Sequence, residues 1–126
     1  MTSSRVQVQP VMIVGVGIDI IEVARIQRAV EKNPRFCDRV FTEREVRYCE
    51  GKKNRFQHLA ARFAAKEAFF KALGRHVGWS AVEVVNLPSG QPQLVIHAQG
   101  DFGFGRSFVS LSHLTDHAAA IVVLEK

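Results

Sequence analysis

Hydrophobic and polar positions along the chain predict a strand followed by helices. The run from Val11 to Ile18 is β-branched and nearly uninterrupted, which is typical of a buried strand, and we expect it to end at Asp19. Apolar residues then recur at helical spacing over 23–30, with basic residues on the opposite face. The dipeptide Asn33-Pro34 ends this first helix, because proline disfavours the helical conformation of the residue before it.

Two further helices have their own start signals. Thr42 and Glu45 form a capping box, in which the hydroxyl and the carboxylate bind each other's free backbone amides, and this short helix ends near Gly51. Asn54 is a suitable N-cap for a long helix that runs to Leu73, where a glycine follows as the C-terminal stop.

The C-terminal half alternates in the manner of strands. We predict strands over Val82–Leu87, Gln93–Ala98, Phe108–Ser112 and Ala118–Leu124, and a glycine-rich loop over 100–105. A strand, then helices, then four strands predict an α+β fold in one domain, with a mostly antiparallel sheet packed on a long buried helix.

Composition narrows the class of protein. With 126 residues, 47% of them hydrophobic, the chain can form one domain with a real core, which excludes disorder. Its apolar runs are too short to cross a bilayer and no secretory signal is visible, so we expect a cytoplasmic protein without a membrane partner. The two cysteines stand 12 residues apart and lack the spacing of a structural zinc site, so we expect small buried hydrophobes.

Charge is distributed unevenly along the chain. Residues 11–75 hold 14 basic and 8 acidic side chains, whereas residues 76–126 hold 2 basic and 4 acidic ones. One half of the molecule therefore presents an electropositive surface to an anionic partner. Charge alone would admit a nucleic acid, a membrane, a phosphorylated metabolite or an acidic protein as that partner.

The long helix combines small and apolar residues on all sides with Arg62, Lys66, Glu67 and Lys71. Ionised groups on a buried helix must be paired, hydrated in a cleft, or bound to a metal. A structural ion-pair network is one interpretation. The other interpretation is a metal site, and Asp19, expected at the end of a buried strand, favours it. Asp19 and Glu67 would supply two hard oxygen ligands amid basic residues, which suits Mg²⁺ shared with substrate phosphates.

Three segments in register resemble a known family. They are Gly17-Ile18-Asp19 followed by Arg25-Ile26, the block over 62–72 that contains KEAFFKA, and Ser110 to His113. Together they resemble the bacterial holo-acyl-carrier-protein synthases, short members of the phosphopantetheinyl transferase superfamily. The resemblance covers about 12–125, so we take 12–126 as the transferase domain and 1–11 as an N-terminal extension. The segment 100–106 departs from the family, where many relatives carry a short helix.

The resemblance implies an enzyme that transfers the phosphopantetheine arm of coenzyme A to a serine of acyl carrier protein, releasing adenosine 3′,5′-bisphosphate, in support of fatty acid biosynthesis. By the same resemblance, Asp19 and Glu67 match the ligands of Mg²⁺ (Mn²⁺ is an alternative) and Lys71 a catalytic lysine beside the metal. It further implies a homotrimer with active sites between subunits. The implied contacts are Arg62, Lys66 and His113 for coenzyme A, and Arg25, Lys32 and Arg35 for the acidic carrier protein.

Two other functions are compatible with a basic surface and acidic residues. A metal-dependent nuclease usually places its Glu and Lys two apart on one strand, whereas Glu67 and Lys71 stand four apart on a predicted helix. A nucleic-acid-binding module would show an aromatic ladder or a recognised motif, and this chain shows neither. We therefore expect no nucleic-acid partner. The general base of the implied reaction stays open.

Overall fold

The three longest strands form one antiparallel sheet. The computed structural model describes residues 10–126. This sheet has the strand order β1-β5-β4, and β2 pairs with β3 in a second antiparallel sheet, so the predicted α+β class is confirmed. The elements are β1 (Ile13–Glu22), α1 (Val23–Lys32), α2 (Phe36–Val40), α3 (Glu43–Glu50), α4 (Arg55–Leu73), a 3₁₀ turn (Trp79–Ala81), β2 (Val82–Asn86), β3 (Pro92–Ile96), β4 (Arg106–His113) and β5 (His117–Glu125).

The inner face of the three-stranded sheet packs directly on α4. A Cβ atom on Gly15 would collide with the carbonyl oxygen of Ala72, and one on Gly17 would collide with that of Ala68. No layer of side chains therefore separates β1 from α4 at these two positions. The β5 residues that complete the buried face are Ala118, Ala120, Val122 and Leu124.

The other side of this sheet is apolar and open to solvent. Ile18 and Ile20 are 66% and 68% exposed, and Ile18 lies in register with Ile121. We call this surface the outer sheet face; its exposed apolar residues are Val14, Val16, Ile18, Ile20, Phe108 and Ile121. Contiguous exposed apolar surface of this kind is typical of an interaction site.

The long helix α4 is buried on most of its sides, as its alanine-rich composition predicts. It ends at Gly74, whose φ of 87° is the left-handed conformation that glycine adopts without strain. The helix begins after Asn54 as predicted, but the Asn54 side chain does not cap the backbone and instead donates to Gln57 Oε1 at 3.1 Å.

The capping box of α3 is confirmed, since Glu45 N donates to Thr42 Oγ1 at 3.2 Å and Thr42 N donates to Glu45 Oε1 at 2.9 Å. The bounds of β2 to β5 differ from the sequence prediction by one or two residues, and two differences are larger. The strand β1 continues past Asp19 to Glu22, because its pairing with β5 extends to His117. The helix α2 was not predicted, because five residues are too few to show a helical period.

The remaining predictions concern the chain's ends, membranes and cysteines. The predicted extension over 1–11 lies outside the described residues except for its last two positions. Across residues 10–126, no helix combines the length and apolar character needed to span a bilayer. Cys49 is buried as expected, and burial raises the pKa of its thiol to about 11, so that the unreactive protonated form is favoured. Cys37 is only half-buried.

Candidate active site

The packing of β1 on α4 brings Asp19 and Lys71 together at one polar site. Asp19 follows Gly17 on the side of β1 that faces the helix, and its side chain is 16% exposed. The Lys71 ammonium lies 3.0 Å from Asp19 Oδ1 and also donates to the carbonyl of Ile18 at 3.0 Å. Half of the Lys71 side chain remains exposed to solvent, so this ion pair borders open space.

Glu67 supplies a second half-buried carboxylate on the same side of the helix. It lies one helical turn before Lys71 and directly precedes Ala68, the residue whose carbonyl meets Gly17. Within residues 10–126, no group of three or more His, Cys, Asp or Glu side chains could hold a metal ion. Two carboxylates without thiolate or imidazole ligands fit Mg²⁺, which keeps waters and shares substrate phosphates.

Lys66 lies next to Glu67 but serves a different purpose. Its side chain is fully buried, and its ammonium contacts Glu45 Oε1 at 2.8 Å, the Val40 carbonyl at 2.8 Å and the Trp79 carbonyl at 3.1 Å. Burial lowers the pKa of Lys66, and Glu45 opposes that shift. Because an ammonium has three N–H groups, none is left for a ligand. The structure therefore places Lys66 in a structural ion pair, where the resemblance implied a coenzyme contact.

Arg62 and His113 line one cleft of about 220 Å³. Arg62 is 2% exposed, donates to Asn86 Oδ1, and holds its guanidinium 4.2 Å from the centre of the Tyr48 ring. Its Nε atom is buried without a hydrogen-bond partner among residues 10–126. An unpaired buried donor is costly, so an acceptor that reached this Nε atom would stabilise it. The other lining residues are His58, Ala61, Gly90, Pro92 and Leu111.

Three of the polar residues that line this cleft were not identified from the sequence. His58 lies one turn before Arg62 on α4, and that spacing was a signal that could have identified it. Its ring packs edge-on against the His113 ring at 4.9 Å between centroids; burial chiefly lowers the pKa of His58, and His113 and Arg62 add to the effect. Tyr48 and Asn86 come from α3 and β2, and nothing local in the sequence marks them.

A second charged cluster anchors α3 to the small sheet. Glu83 is 3% exposed and accepts hydrogen bonds from Arg44 at 2.8 and 3.1 Å and from Thr42 Oγ1 at 2.6 Å, while His97 Nε2 lies at 2.8 Å. The Arg44 hydrogen bonds, helped by those of Thr42 and His97, outweigh burial and lower the pKa of Glu83 to about 2. Glu83 is therefore a permanently ionised anchor at neutral pH.

Basic residues predicted to bind a partner protein lie on an open surface. Arg25 and Lys32 are exposed on α1, and Arg35 is exposed just before α2. In the part of the chain that the structure describes, none of the three forms a salt bridge. Their charges are therefore free to act on an acidic partner.

Comparison with known proteins identifies the family. A family model of the 4′-phosphopantetheinyl transferase superfamily matches residues 15–122. The holo-[acyl-carrier-protein] synthase of Geobacter sulfurreducens is 47% identical, over 91% of this chain and 99% of its own length. This chain belongs to the holo-acyl-carrier-protein synthase family. The synthase of Listeria monocytogenes is 39% identical, over 90% of this chain and 99% of its own length. The family and the enzyme class predicted from the sequence, a transferase, are confirmed.

Solved holo-acyl-carrier-protein synthases share the fold. The Bacillus anthracis synthase, solved in complex with CoA (3′,5′-ADP), aligns with a TM-score of 0.78 at 39% identity and covers 91% of this chain and 98% of its own. The Neisseria meningitidis synthase aligns with a TM-score of 0.80 at 31% identity, over 91% of this chain and 100% of its own. The fold described above is therefore that of the holo-acyl-carrier-protein synthases.

Proposed function

We propose that this enzyme transfers the 4′-phosphopantetheine arm of coenzyme A to a serine of apo acyl carrier protein in a Mg²⁺-dependent reaction that releases adenosine 3′,5′-bisphosphate. In the cell this reaction would serve fatty acid biosynthesis in the cytoplasm. The observation that carries the proposal is the meeting of β1 and α4, where Asp19 pairs with Lys71 and Glu67 lies one turn away. Relatives named holo-[acyl-carrier-protein] synthase support this proposal.

Each side chain of the Asp19 site has a separate role in this reaction. Asp19 and Glu67 would hold Mg²⁺ or Mn²⁺ through carboxylate oxygens. The bound ion would act as a Lewis acid on the coenzyme's phosphate oxygens. Lys71 is placed to stabilise negative charge on the phosphates or on the leaving group, since its ammonium borders solvent beside Asp19. The attacking hydroxyl belongs to the carrier protein, so this chain needs no nucleophile of its own.

The cleft of Arg62 and His113 is the proposed binding site for the nucleotide end of coenzyme A. Arg62 offers the unpartnered Nε donor together with a buried positive charge, and His113 lines the same cleft. Phosphate oxygens accept such hydrogen bonds well, and charged partners strengthen them. The Bacillus anthracis and Helicobacter pylori relatives, solved with coenzyme A, support this ligand.

The basic surface of Arg25, Lys32 and Arg35 is the proposed docking site for the carrier protein. Its charges are exposed and, within residues 10–126, form no salt bridge, so they can steer an acidic partner to the enzyme. We therefore expect association to weaken as salt is added, because screening shortens the reach of these charges.

We further propose a homotrimer in which the outer sheet face is covered and active sites lie between subunits. Ile18→Glu would place a charge in the centre of this face, whereas Gln93→Glu, at an exposed position of β3, is the matched control. Light scattering should give three chains for the wild type and Gln93→Glu, and one folded, inactive chain for Ile18→Glu. A wild-type monomer with full activity would contradict the proposal.

We also propose that the transferase domain is 12–126. Activity of a chain that starts at Met12 would support these bounds, and loss of activity with a native fold would contradict them.

Mass spectrometry of apo carrier protein tests the transfer itself. Incubation with this enzyme, coenzyme A and Mg²⁺ should add one phosphopantetheine to a serine, and a chelator should prevent the addition. Asp19→Asn and Glu67→Gln should abolish it while circular dichroism shows a native fold. The control Glu31→Gln removes an exposed acid of α1 and should keep full activity. If the variant that combines Asp19→Asn and Glu67→Gln still modified the carrier protein, the metal role would be refuted. Cleavage of DNA or RNA by the wild-type enzyme in place of transfer would favour a nuclease.

A further inference from the structure

The side-chain carbonyl of Gln57, near the start of α4, contacts His113 in the cleft that Arg62 and His113 line. Gln57 Oε1 lies 2.9 Å from His113 Nδ1, and it also accepts a hydrogen bond from Asn54 Nδ2 at 3.1 Å. A carbonyl oxygen can only accept hydrogen bonds, so His113 must carry its proton on Nδ1 in this contact. The His113 ring lines the cleft that holds Arg62, and its Nε2 atom is the nitrogen left for a ligand.

Asn54 decides which end of the Gln57 amide faces the histidine. If the Gln57 amide were turned round, its NH₂ group would face the NH₂ group of Asn54, and two donors would meet. The present orientation pairs both donors, Asn54 and His113, with the single oxygen. The three side chains therefore form one chain of hydrogen bonds, in which the orientation of the Asn54 amide sets that of Gln57 and, through it, the protonated nitrogen of His113.

We propose that Gln57 is a positioning residue that holds His113 in the Nδ1-protonated tautomer, so that Nε2 alone gains or loses a proton. Among residues 10–126, His58 of α4 packs against the ring, and the other ionisable groups that line the same cleft are Arg62 of α4 and Tyr48 of α3.

A consequence for binding rests on the proposed function. A neutral His113 in this tautomer presents a lone pair at Nε2, which repels a phosphate oxygen, whereas the doubly protonated ring donates to it. A contact between His113 and a coenzyme phosphate therefore forms together with uptake of a proton.

Nitrogen NMR of the enzyme without coenzyme tests the tautomer. In protein labelled with ¹⁵N-histidine, at a pH where the rings are neutral, the His113 signals should show a protonated Nδ1 and an unprotonated Nε2. Gln57→Leu keeps the side-chain size but removes the acceptor, and it should populate the Nε2-protonated form. Gln57→Glu keeps an acceptor and should preserve the wild-type tautomer, as should the distant control Gln99→Leu. An unchanged tautomer in Gln57→Leu would overturn the proposal.

The isosteric variant Asn54→Asp tests the direction of the chain. Its carboxylate accepts rather than donates, so the Gln57 amide should turn and present its NH₂ group to His113. The tautomer should then switch to protonation on Nε2. An Nδ1-protonated ring in this variant would overturn the role assigned to Asn54.

Calorimetry in buffers of different ionisation enthalpy tests the consequence for binding. At a pH where the His113 ring of the free enzyme is neutral, the wild type should take up a proton when coenzyme A binds, whereas Asn54→Asp, with Nε2 already protonated, should take up less. Gln57→Leu, whose ring should also carry its proton on Nε2, should likewise take up less. Binding without proton uptake, with the tautomer as proposed, would refute the phosphate contact of His113. An absence of coenzyme binding would refute the proposed function and leave the NMR result standing.

Discussion

Replacing Lys66 with methionine should destabilise the fold far more than replacing an exposed lysine. Methionine keeps the length and flexibility of the side chain but lacks the charge. Glu45 would then stay buried with only the backbone amides of Thr42 and Val84 as hydrogen-bond donors. The carbonyls of Val40 and Trp79 would also each lose a donor.

The expected loss can be estimated from this geometry. Breaking a buried ion pair by removing one partner costs about 3–5 kcal/mol, because the other charge is left uncompensated. A domain of this size has a free energy of unfolding of about 5–15 kcal/mol, so Lys66→Met should lose a large part of its stability. The control Lys53→Met removes an exposed ammonium and should stay within about 0.5 kcal/mol of the wild type.

Urea unfolding followed by circular dichroism measures these differences. The double variant Lys66→Met, Glu45→Gln removes both charges but keeps an acceptor oxygen for a backbone amide, and it should recover at least about 1 kcal/mol relative to Lys66→Met, since no unpaired charge remains buried. A loss below about 1 kcal/mol in Lys66→Met would refute the reasoning, because it would mean that water compensates Glu45. A double variant no more stable than Lys66→Met would refute it as well.

Three further predictions follow from contacts elsewhere in the fold. Gly17→Ala should lower the free energy of unfolding in urea by about 1–3 kcal/mol, because its Cβ would meet the backbone of α4. The control Gly51→Ala, whose Cβ would have only ordinary contacts, should be neutral. Equal effects of the two substitutions would contradict the close approach of Gly17 to α4. Glu83 has a pKa of about 2 in the fold, whereas a free glutamate has an ordinary pKa of 4.5, so its stabilisation is present above pH 4.5 and is lost as pH falls towards 2. Glu83→Gln should therefore be about 2 kcal/mol less stable at neutral pH and should show a flatter stability profile in acid; parallel profiles would refute the anchor role. Arg25→Glu should raise KM for the carrier protein about 10-fold and leave coenzyme binding unchanged. The control Arg47→Glu on α3 should change neither quantity. Loss of coenzyme binding in Arg25→Glu would show that Arg25 serves the fold.

The sequence contains most of the information about local structure. The capping box of Thr42 and Glu45 predicts the start of α3, and the alanines of α4 predict a helix buried on most sides. The end of β1 could not be predicted, since it depends on pairing with β5, about 100 residues away in the chain. Local patterns identify elements well, but the partners that extend them are set by tertiary contacts.

The candidate site shows the same division. Asp19, Glu67 and Lys71 could be proposed from the sequence because they fall in motifs that resemble a family. Lys66 lies in the same motif, yet its pairing with Glu45 joins residues 21 positions apart on different helices, and no spacing rule predicts it. The hydrogen bond between Gln57 and His113 likewise joins α4 to β4. Such roles become visible only when the elements are packed.

The open apolar face of the sheet also connects folding to protein concentration. Side chains such as Ile18 and Ile20 are about two-thirds exposed in the single chain, and in the proposed trimer they would be buried only on assembly. For a trimer, each tenfold dilution lowers the free energy of unfolding per chain by about 1 kcal/mol through mass action. The melting temperature should therefore fall on dilution, and a newly synthesised chain is most prone to aggregate in the interval before it meets its partners.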